Sequence, residues 1–147
     1  MKPSILLVED DPTDEKLAIL AFRRAEFTGD IHVVRDGAAA LEWLRNAGTA
    51  GGPLRLPSVV LLDLKLPKVD GLEVVRRLRA DPRTRLQPVV VLTASREESD
   101  VLRSYAEGVN AYVVKPGDFQ VLVAAARAIH TFWVGCCEAP PPAREAS

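Results

Sequence analysis

The amino-acid sequence predicts an α/β protein built on a doubly wound sheet of five parallel strands. Two observations predict this fold. Short apolar runs rich in β-branched residues recur five times, and a segment with helical periodicity follows each of them. A crossover helix is the usual connection between parallel strands, because the chain must return to the same end of the sheet. The regular alternation of strand and helix therefore favours one doubly wound domain.

Five strands are predicted from runs in which polar residues do not occupy every second position. Strands with that pattern are typically covered by helices on both faces. In chain order the runs are SILLV from Ser4, IHVV from Ile31, SVVLL from Ser58, PVVVLT from Pro88 and AYVV from Ala111.

Five helices are predicted after these strands. Apolar residues recur there at three- and four-residue spacing, and the elements are separated by the breakers FTGD, NAGTAGGPLRLP, DPRTRLQP and EGVN. The predicted helices span residues 14–27, 37–47, 72–80, 97–108 and 118 to about 134.

Length and composition limit the classes of function. The chain has 147 residues, which suits one domain, predicted over 1–134, with a proline-rich, disordered tail over 135–147. Its formal net charge is −1, so electrostatics gives no support for a nucleic-acid partner. The first apolar run is too short for a secretion signal, and no run reaches the roughly 20 residues of a membrane span. We therefore expect a cytoplasmic protein.

Acidic side chains follow two strands that are predicted to be neighbours. Glu9, Asp10 and Asp11 follow the first strand, and Asp63 follows the third. In an open sheet of order 2-1-3-4-5, the carboxyl ends of these strands flank the crevice where ligands bind. Carboxylates so close together raise one another's pKa unless a cation neutralises them, and oxygen ligands alone suit Mg²⁺. The sequence therefore predicts a magnesium site at this edge.

A hydroxyl group and an ammonium group belong to the same edge. Thr93 ends the fourth strand and Lys115 follows the fifth. With a metal ion and a central aspartate, they form a set suited to neutralising and accepting a phosphoryl group. Each also has a simpler interpretation: Thr93 as a strand-end cap, Lys115 as a solvated lysine, and residues 9–11 as an N-cap cluster. Their joint position at four strand ends favours the phosphoryl site.

Four motifs in this order and spacing resemble the receiver domain of bacterial response regulators, the family that includes the chemotaxis protein CheY. The motifs are LLVEDD, LLDLKLPKVDG, VVVLTAS and AYVVKP. The resemblance runs from about Ile5 to Val134 and implies the flavodoxin-like strand order 2-1-3-4-5. It also implies a two-component signalling protein that catalyses only its own phosphotransfer and dephosphorylation.

The resemblance implies roles for the acidic motif residues. Asp63 would accept a phosphoryl group from a histidine kinase. Asp10, Asp63 and the backbone carbonyl of Lys65 would bind Mg²⁺ directly, and Glu9 would act through a bound water.

Further roles follow from the same resemblance. Thr93 would hydrogen-bond the phosphoryl oxygens, and Lys115 would pair with them. Tyr112 would move inward when Thr93 does, and the Lys115–Pro116 peptide bond would be cis.

A narrower resemblance connects the chain with the small stand-alone regulators that partner bacterial phytochrome kinases. It rests on DGAAALEWL, the loop with GGPLRLP, ADPRTRLQPVVVLTAS, the pair Ser104–Tyr105 and the pair Phe132–Trp133. Those regulators carry no output domain and form homodimers through the C-terminal region. Phe132 and Trp133 are therefore predicted dimer contacts, with a place in the core of the last helix as the alternative.

Two other functions use the same kind of fold. An aspartyl-phosphate hydrolase also has a nucleophilic aspartate at a strand end, but it needs an acid two residues later, where this chain has Lys65. A pseudo-receiver would serve as a binding module without phosphorylation. The presence of Asp10, Asp63, Thr93 and Lys115 gives that second interpretation no support.

Overall fold

The computed structural model describes residues 2–49, 51–52 and 55–141. Within them, five parallel strands form one sheet in the order β2-β1-β3-β4-β5, which confirms the predicted fold and strand order. The strands are β1 Ser4–Val8, β2 Asp30–Val34, β3 Val59–Leu62, β4 Val89–Thr93 and β5 Ala111–Val114. Each strand begins within one residue of its predicted start.

The helices lie close to their predicted positions. They are α1 Pro12–Arg24, α2 Gly37–Asn46, α3 Gly71–Ala80, α4 Glu98–Glu107 and α5 Phe119–His130. α1 begins earlier than predicted for two reasons. The Asp11 side chain caps the helix by accepting hydrogen bonds from the amides of Thr13 and Asp14, and Pro12 occupies the first helical position, where it loses no hydrogen bond.

The core consists of two apolar layers, one on each face of the sheet. In β1, Leu6 and Val8 belong to the layer under α2 and α3, whereas Ile5 and Leu7 belong to the layer under α1 and α5. Every residue of β3 and β4 is buried. Successive side chains of a strand point to opposite faces, so a central strand covered on both sides is a continuous apolar run.

The prediction that every strand is covered on both faces holds only in part for β2 and β5, whose side chains pack against both core layers without being fully buried. All residues of β5 are only partly buried, as are four of the five in β2, and Asp30 is exposed. These two strands lie at the edges of the sheet, where each pairs with a single neighbouring strand.

The last helix continues beyond His130. A π-helical segment, Thr131–Cys136, follows α5 directly, so helical structure extends past the boundary predicted at 134. Phe132 is 52% exposed, whereas Trp133 packs partly against the core layer under α1 and α5. The disordered tail stays a prediction, and residues 142–147 lie outside the described residues.

Among the described residues, one helix has the length and composition of a possible membrane span. It covers Phe119–Cys136, 18 residues with a mean hydropathy of 1.3. Val123, Ala126 and Ile129 of this helix are buried in the core, so we assign it to the packing of the domain.

Candidate functional site

A cleft of about 280 Å³ opens at the carboxyl ends of the strands. Its acidic lining consists of Glu9, Asp10, Asp11, Asp14 and Asp63. The rest of the lining consists of Lys65, Thr93, Ala94, Ser95 and Lys115. The cleft therefore brings together side chains from all four strand ends that the sequence motifs mark.

Strand pairing brings the acidic residues together. Val8 of β1 is in register with Leu62 of β3, and the Asp63 amide donates a hydrogen bond of 3.1 Å to the Val8 carbonyl. Asp63 and Glu9 therefore follow their strands at the same level of the sheet. Glu9 is buried at 3% exposure, whereas Asp10 is exposed.

The carboxylates of Glu9, Asp10 and Asp63 form a group that could hold a metal ion. One oxygen from each lies within 4.8 Å of the other two. Oxygen ligands of this kind suit Mg²⁺ or Mn²⁺, and a divalent cation would offset the repulsion among the three carboxylates. The backbone amide of Lys65 donates to Asp63 Oδ1 at 3.3 Å, so the Lys65 backbone also borders the group.

Lys115 forms three ion pairs in the cleft. Its Nζ donates to Glu9 Oε2 at 2.8 Å, to Asp14 Oδ2 at 2.9 Å and to Asp63 Oδ2 at 2.9 Å. An ammonium group has three N–H donors, so each of them has a carboxylate partner. The Lys115 side chain is only 16% exposed, and these ion pairs are therefore partly shielded from water.

Asp14 is a site residue that the sequence interpretation missed, because it counted Asp14 only as the start of a helix. A signal was present. α1 begins directly after β1, so the side chains of its first turn lie at the same edge of the sheet as the strand ends. Asp14 belongs to that turn, and the Asp11 side chain accepts a hydrogen bond of 3.0 Å from its amide.

Burial and the Lys115 ammonium act in opposite directions on the buried carboxylates. Burial has the larger effect on Glu9 and raises its pKa to about 7, although hydrogen bonds from Lys115 and the Asp11 amide lower it. Burial also raises the pKa of Asp63, but Lys115 and the Lys65 amide together outweigh it and hold that pKa below its usual range. Burial lowers the pKa of Lys115, and its carboxylate partners more than compensate and raise it. At neutral pH, Asp63 is thus a carboxylate and Lys115 an ammonium ion.

Thr93 and Tyr112 are connected through Ser95. Thr93 Oγ1 donates to Asp63 Oδ1 at 3.1 Å, and the Ser95 amide donates to the same Thr93 oxygen at 3.5 Å. The Tyr112 hydroxyl donates to the Ser95 carbonyl at 3.0 Å, and the Ser95 hydroxyl donates to Asp100. A movement of Thr93 would therefore disturb the loop that Tyr112 and Asp100 hold.

The Lys115–Pro116 peptide bond is trans, contrary to the expectation from the resemblance, since the described residues contain no cis peptide bond. The trans form before proline is favoured by about 0.5–1 kcal/mol. Lys115 reaches its three carboxylate partners with this geometry.

Phe132 and Trp133 lie away from the cleft. Their rings pack edge to face, with centroids 4.9 Å apart. Just before them, His130 Nε2 lies 2.8 Å from the carbonyl oxygen of Ala25, which follows the last residue of α1. The cleft is at the start of α1, so the aromatic pair is at the opposite end of the domain.

Comparisons with known proteins agree on one family. The sequence model of the family described as the response regulator receiver domain matches residues 5–127. The probable methanogenesis regulatory protein FilR2 of Methanothrix harundinacea is 46% identical over 139 residues, which cover 95% of this chain and 88% of the relative. Response regulator Rcp1 of Synechocystis sp. is 38% identical over 130 residues, which cover 88% of each chain.

Solved structures extend the similarity to the fold. The phosphorylated cyanobacterial phytochrome response regulator RcpA matches with a TM-score of 0.86 at 35% identity, over 96% of this chain and all of that one. The Mn²⁺-bound form of response regulator Rcp1 gives 0.82 at 36% identity, over 95% and 99%. The bacteriophytochrome response regulator RtBRR gives 0.72 at 47% identity, over 97% and 87%. This chain is therefore similar to these proteins in both sequence and fold.

Proposed function

Because this chain belongs to the response regulator receiver domain family, we propose that Asp63 accepts a phosphoryl group from a histidine kinase. The chain is homologous to phytochrome-associated response regulators. One observation carries the proposal. The ionised Asp63 carboxylate lies between the Thr93 hydroxyl and the Lys115 ammonium, beside the carboxylates of Glu9 and Asp10.

In the proposed reaction, a carboxylate oxygen of Asp63 attacks the phosphorus atom of a phosphohistidine on the kinase. A P–O bond forms while the P–N bond breaks, and the imidazole nitrogen keeps that electron pair and takes up a proton. The product is an acyl phosphate on Asp63. The Thr93 hydroxyl and the Lys115 ammonium stabilise the transferred group by donating hydrogen bonds to its oxygens.

We assign Mg²⁺ to the acidic group. Asp10, Asp63 and the backbone carbonyl of Lys65 would bind it directly, and Glu9 would act through a water molecule. The oxygen-only donor set and the 4.8 Å spacing support this assignment, as does the Mn²⁺-bound form of the similar regulator Rcp1. When bound, the ion would supply the positive charge that lets an anionic phosphodonor approach these carboxylates.

Phosphorylation would act as a switch by drawing Thr93 from its present partner. The phosphoryl group adds up to about two negative charges and three acceptor oxygens. Thr93 Oγ1 can turn from Asp63 to a phosphoryl oxygen, and the loop through Ser95 to Tyr112 would follow. Inverting a population of about 1:99 takes about 5.5 kcal/mol. Charge-assisted hydrogen bonds contribute about 1.5–3 kcal/mol each, so about two to four of them, gained only in the phosphorylated state, would supply that difference.

We propose that this chain is cytoplasmic and that its partner is a histidine kinase of the phytochrome type. Similarity to RcpA and RtBRR over nearly the whole chain supports this choice. FilR2, at 46% identity, favours a kinase with another stimulus as the second candidate. We propose no nucleic-acid or membrane partner, because the net charge is −1 and the apolar helix Phe119–Cys136 packs on the core.

We propose no turnover of an external substrate. The chain would catalyse only phosphotransfer to Asp63 and loss of that phosphoryl group. Lys65 lies at the position where an aspartyl-phosphate hydrolase needs a carboxyl group as general acid or base.

We also propose a homodimer formed through the C-terminal region, with Phe132 and Trp133 as contacts. Phe132 is 52% exposed, and its ring packs edge to face with the ring of the partly buried Trp133. Aromatic side chains, phenylalanine and tryptophan included, are enriched in the cores of protein interfaces, which supports these two residues as contacts.

Mass spectrometry tests the phosphoacceptor. With Mg²⁺ and acetyl phosphate, we expect the wild type to gain about 80 Da and Asp63→Asn to gain nothing. Asp70→Asn is the matched control, since Asp70 is an exposed cap of α3 and asparagine caps helices equally well. Equal labelling of wild type and Asp63→Asn would contradict the assignment. A wild type that neither acetyl phosphate nor phosphorylated kinases label would favour the pseudo-receiver.

A further inference from the structure

We propose that Asp14 is a positioning residue for phosphoryl transfer, which holds the Lys115 ammonium in place while Asp63 is phosphorylated. This inference rests on the proposed function, because it takes Asp63 as the phosphoacceptor and Lys115 as a partner of the transferred group.

The three partners of Lys115 come from three parts of the fold: Glu9 follows β1, Asp63 follows β3 and Asp14 lies in α1. When an Asp63 oxygen bonds to phosphorus, that carboxylate loses its negative charge. Its hydrogen bond to Lys115 is therefore the one to be exchanged for a phosphoryl oxygen. Glu9 and Asp14 remain as the groups that hold the ammonium.

Asp14 differs from Glu9 in having no place in the acidic group around the metal position. That group consists of Glu9, Asp10 and Asp63. The Asp14 carboxylate instead pairs with Lys115 at 2.9 Å. The position of Asp14 therefore supports a role in holding Lys115 rather than in binding the metal ion.

α1 holds the Asp14 carboxylate in a fixed position beside the Lys115 ammonium. Asp14 lies in the first turn, where the helix dipole stabilises its carboxylate, and the Asp11 cap fixes its amide. The backbone of Lys115 is held at the sheet, because its amide donates to the Thr93 carbonyl at 2.7 Å, but its ammonium lies at the end of a flexible four-carbon side chain. The ion pair with Asp14 therefore restrains the ammonium itself, which the backbone of Lys115 does not do.

Removing the Asp14 carboxylate would change the ammonium in two ways. The Lys115 ammonium would then have two carboxylate partners instead of three and would pair more closely with Asp63. It would also be held less firmly in the position from which it can donate to a phosphoryl oxygen. Both changes slow the attack by Asp63. Loss of one negative charge also reduces the repulsion of an anionic donor, so the test must separate this general effect from the effect through Lys115.

A double-mutant cycle of Asp14→Asn and Lys115→Met makes that separation. Initial rates of labelling by acetyl phosphate are measured by mass spectrometry at saturating Mg²⁺, so that weaker metal binding does not contribute. With Lys115 present, we expect Asp14→Asn to lower the rate about fivefold, as for loss of one partly exposed ion pair. In the Lys115→Met background, we expect no decrease.

Two further variants serve as controls. Asp14→Glu keeps a carboxylate on a side chain that is 40% exposed and has room to adjust, so we expect it to retain most of the wild-type rate. Glu15→Gln removes the same charge from the next residue of α1, where the carboxylate pairs with Arg35 instead, and should label at the wild-type rate. Thermal unfolding by circular dichroism verifies that each variant folds.

The inference is overturned by a wild-type rate in Asp14→Asn, or by equal slowing in both backgrounds. Where Lys115→Met is too slow to measure, the two Asp14 variants decide: rescue by glutamate supports the inference, and equal slowing by glutamate and asparagine refutes it. An unlabelled wild type refutes the proposed function itself, whereas a labelled wild type with an unaffected Asp14→Asn refutes only the role of Asp14.

Discussion

At the scale of single residues, the burial of Glu9 makes the metal-free fold sensitive to pH. Burial is the largest influence on this carboxyl group and raises its pKa from 4.5 to about 7. A group with a higher pKa in the folded protein binds more protons there than in the unfolded chain. It therefore stabilises the fold at low pH and loses that contribution as the pH rises through the window between these two values.

We expect the free energy of unfolding of the metal-free wild type to fall between pH 4.5 and about 7, and Glu9→Gln to remove most of that fall. Urea unfolding with a chelator present measures both proteins. The pKa of Asp63 is lowered, so that carboxyl group titrates below this window. Contributions that the two proteins share cancel in their comparison. Parallel stability curves for the two would contradict the effect assigned to Glu9.

Residues at strand ends were predictable, because topology alone brings them together. Asp63 and Thr93 were assigned from the apolar runs that precede them and the order of the strands. The place of Asp14 in the first turn of α1 indicated only that it lies near this edge; its contact with Lys115 was not predictable, since it depends on the reach of two side chains across a helix and a loop. Sequence spacing carries no measure of that reach.

At the scale of elements, Arg79 connects the end of α3 to two loops. Its half-buried guanidinium donates to the carbonyls of Arg85, Gln87 and Gly108 and to the Asn110 side chain, at 2.8–3.2 Å. These loops lead into β4 and β5. One cation at the end of α3 thus supplies donors for both loops.

We expect Arg79→Ala to lower the free energy of unfolding by about 2–3 kcal/mol, because it leaves partly buried carbonyls without donors. Arg76→Ala, one turn earlier in α3, is the matched control. Its guanidinium pairs with Glu73 and Glu107, but the side chain is 59% exposed, so its loss should change stability little. Urea denaturation followed by circular dichroism measures both. Equal losses for the two variants would show that burial of Arg79 is not the cause.

The ends of elements were less predictable than their presence. The start of α1 is set by Asp11 and Pro12, a cap followed by a proline, and the sequence interpretation placed it at Asp14. The last helix was predicted to end at about 134, whereas a π-helical segment extends it to Cys136. Apolar periodicity locates the buried middle of a helix, but it does not determine where the exposed terminal turns begin and end.

At the scale of the whole molecule, the order of the strands followed from general rules on parallel sheets and from the family resemblance. The partial exposure of β2 and β5 did not follow from the sequence. Their apolar runs look like those of β3 and β4, because burial at an edge depends on which strands are neighbours. That arrangement is a property of the assembled sheet and not of the run itself.

The proposed dimer depends on two aromatic residues that differ in their contacts within one chain. Trp133 packs partly against the core, so its truncation would leave a cavity and lower the stability of the monomer. Phe132 is 52% exposed, and its truncation removes less contact within the chain. Phe132 is therefore the residue at which association can be weakened without unfolding the domain.

We expect Phe132→Ala to weaken dimerisation by about 2 kcal/mol, about thirtyfold in Kd, with a thermal midpoint close to that of the wild type. Sedimentation equilibrium measures the Kd. Leu86→Ala is the control, since Leu86 is an apolar residue that is 60% exposed on the loop between α3 and β4 and should leave the Kd unchanged. An unchanged Kd in Phe132→Ala would exclude this residue as a contact. A wild type that stays monomeric at all concentrations would contradict the dimer and leave phosphorylation of Asp63 untouched, because the cleft is built within one chain.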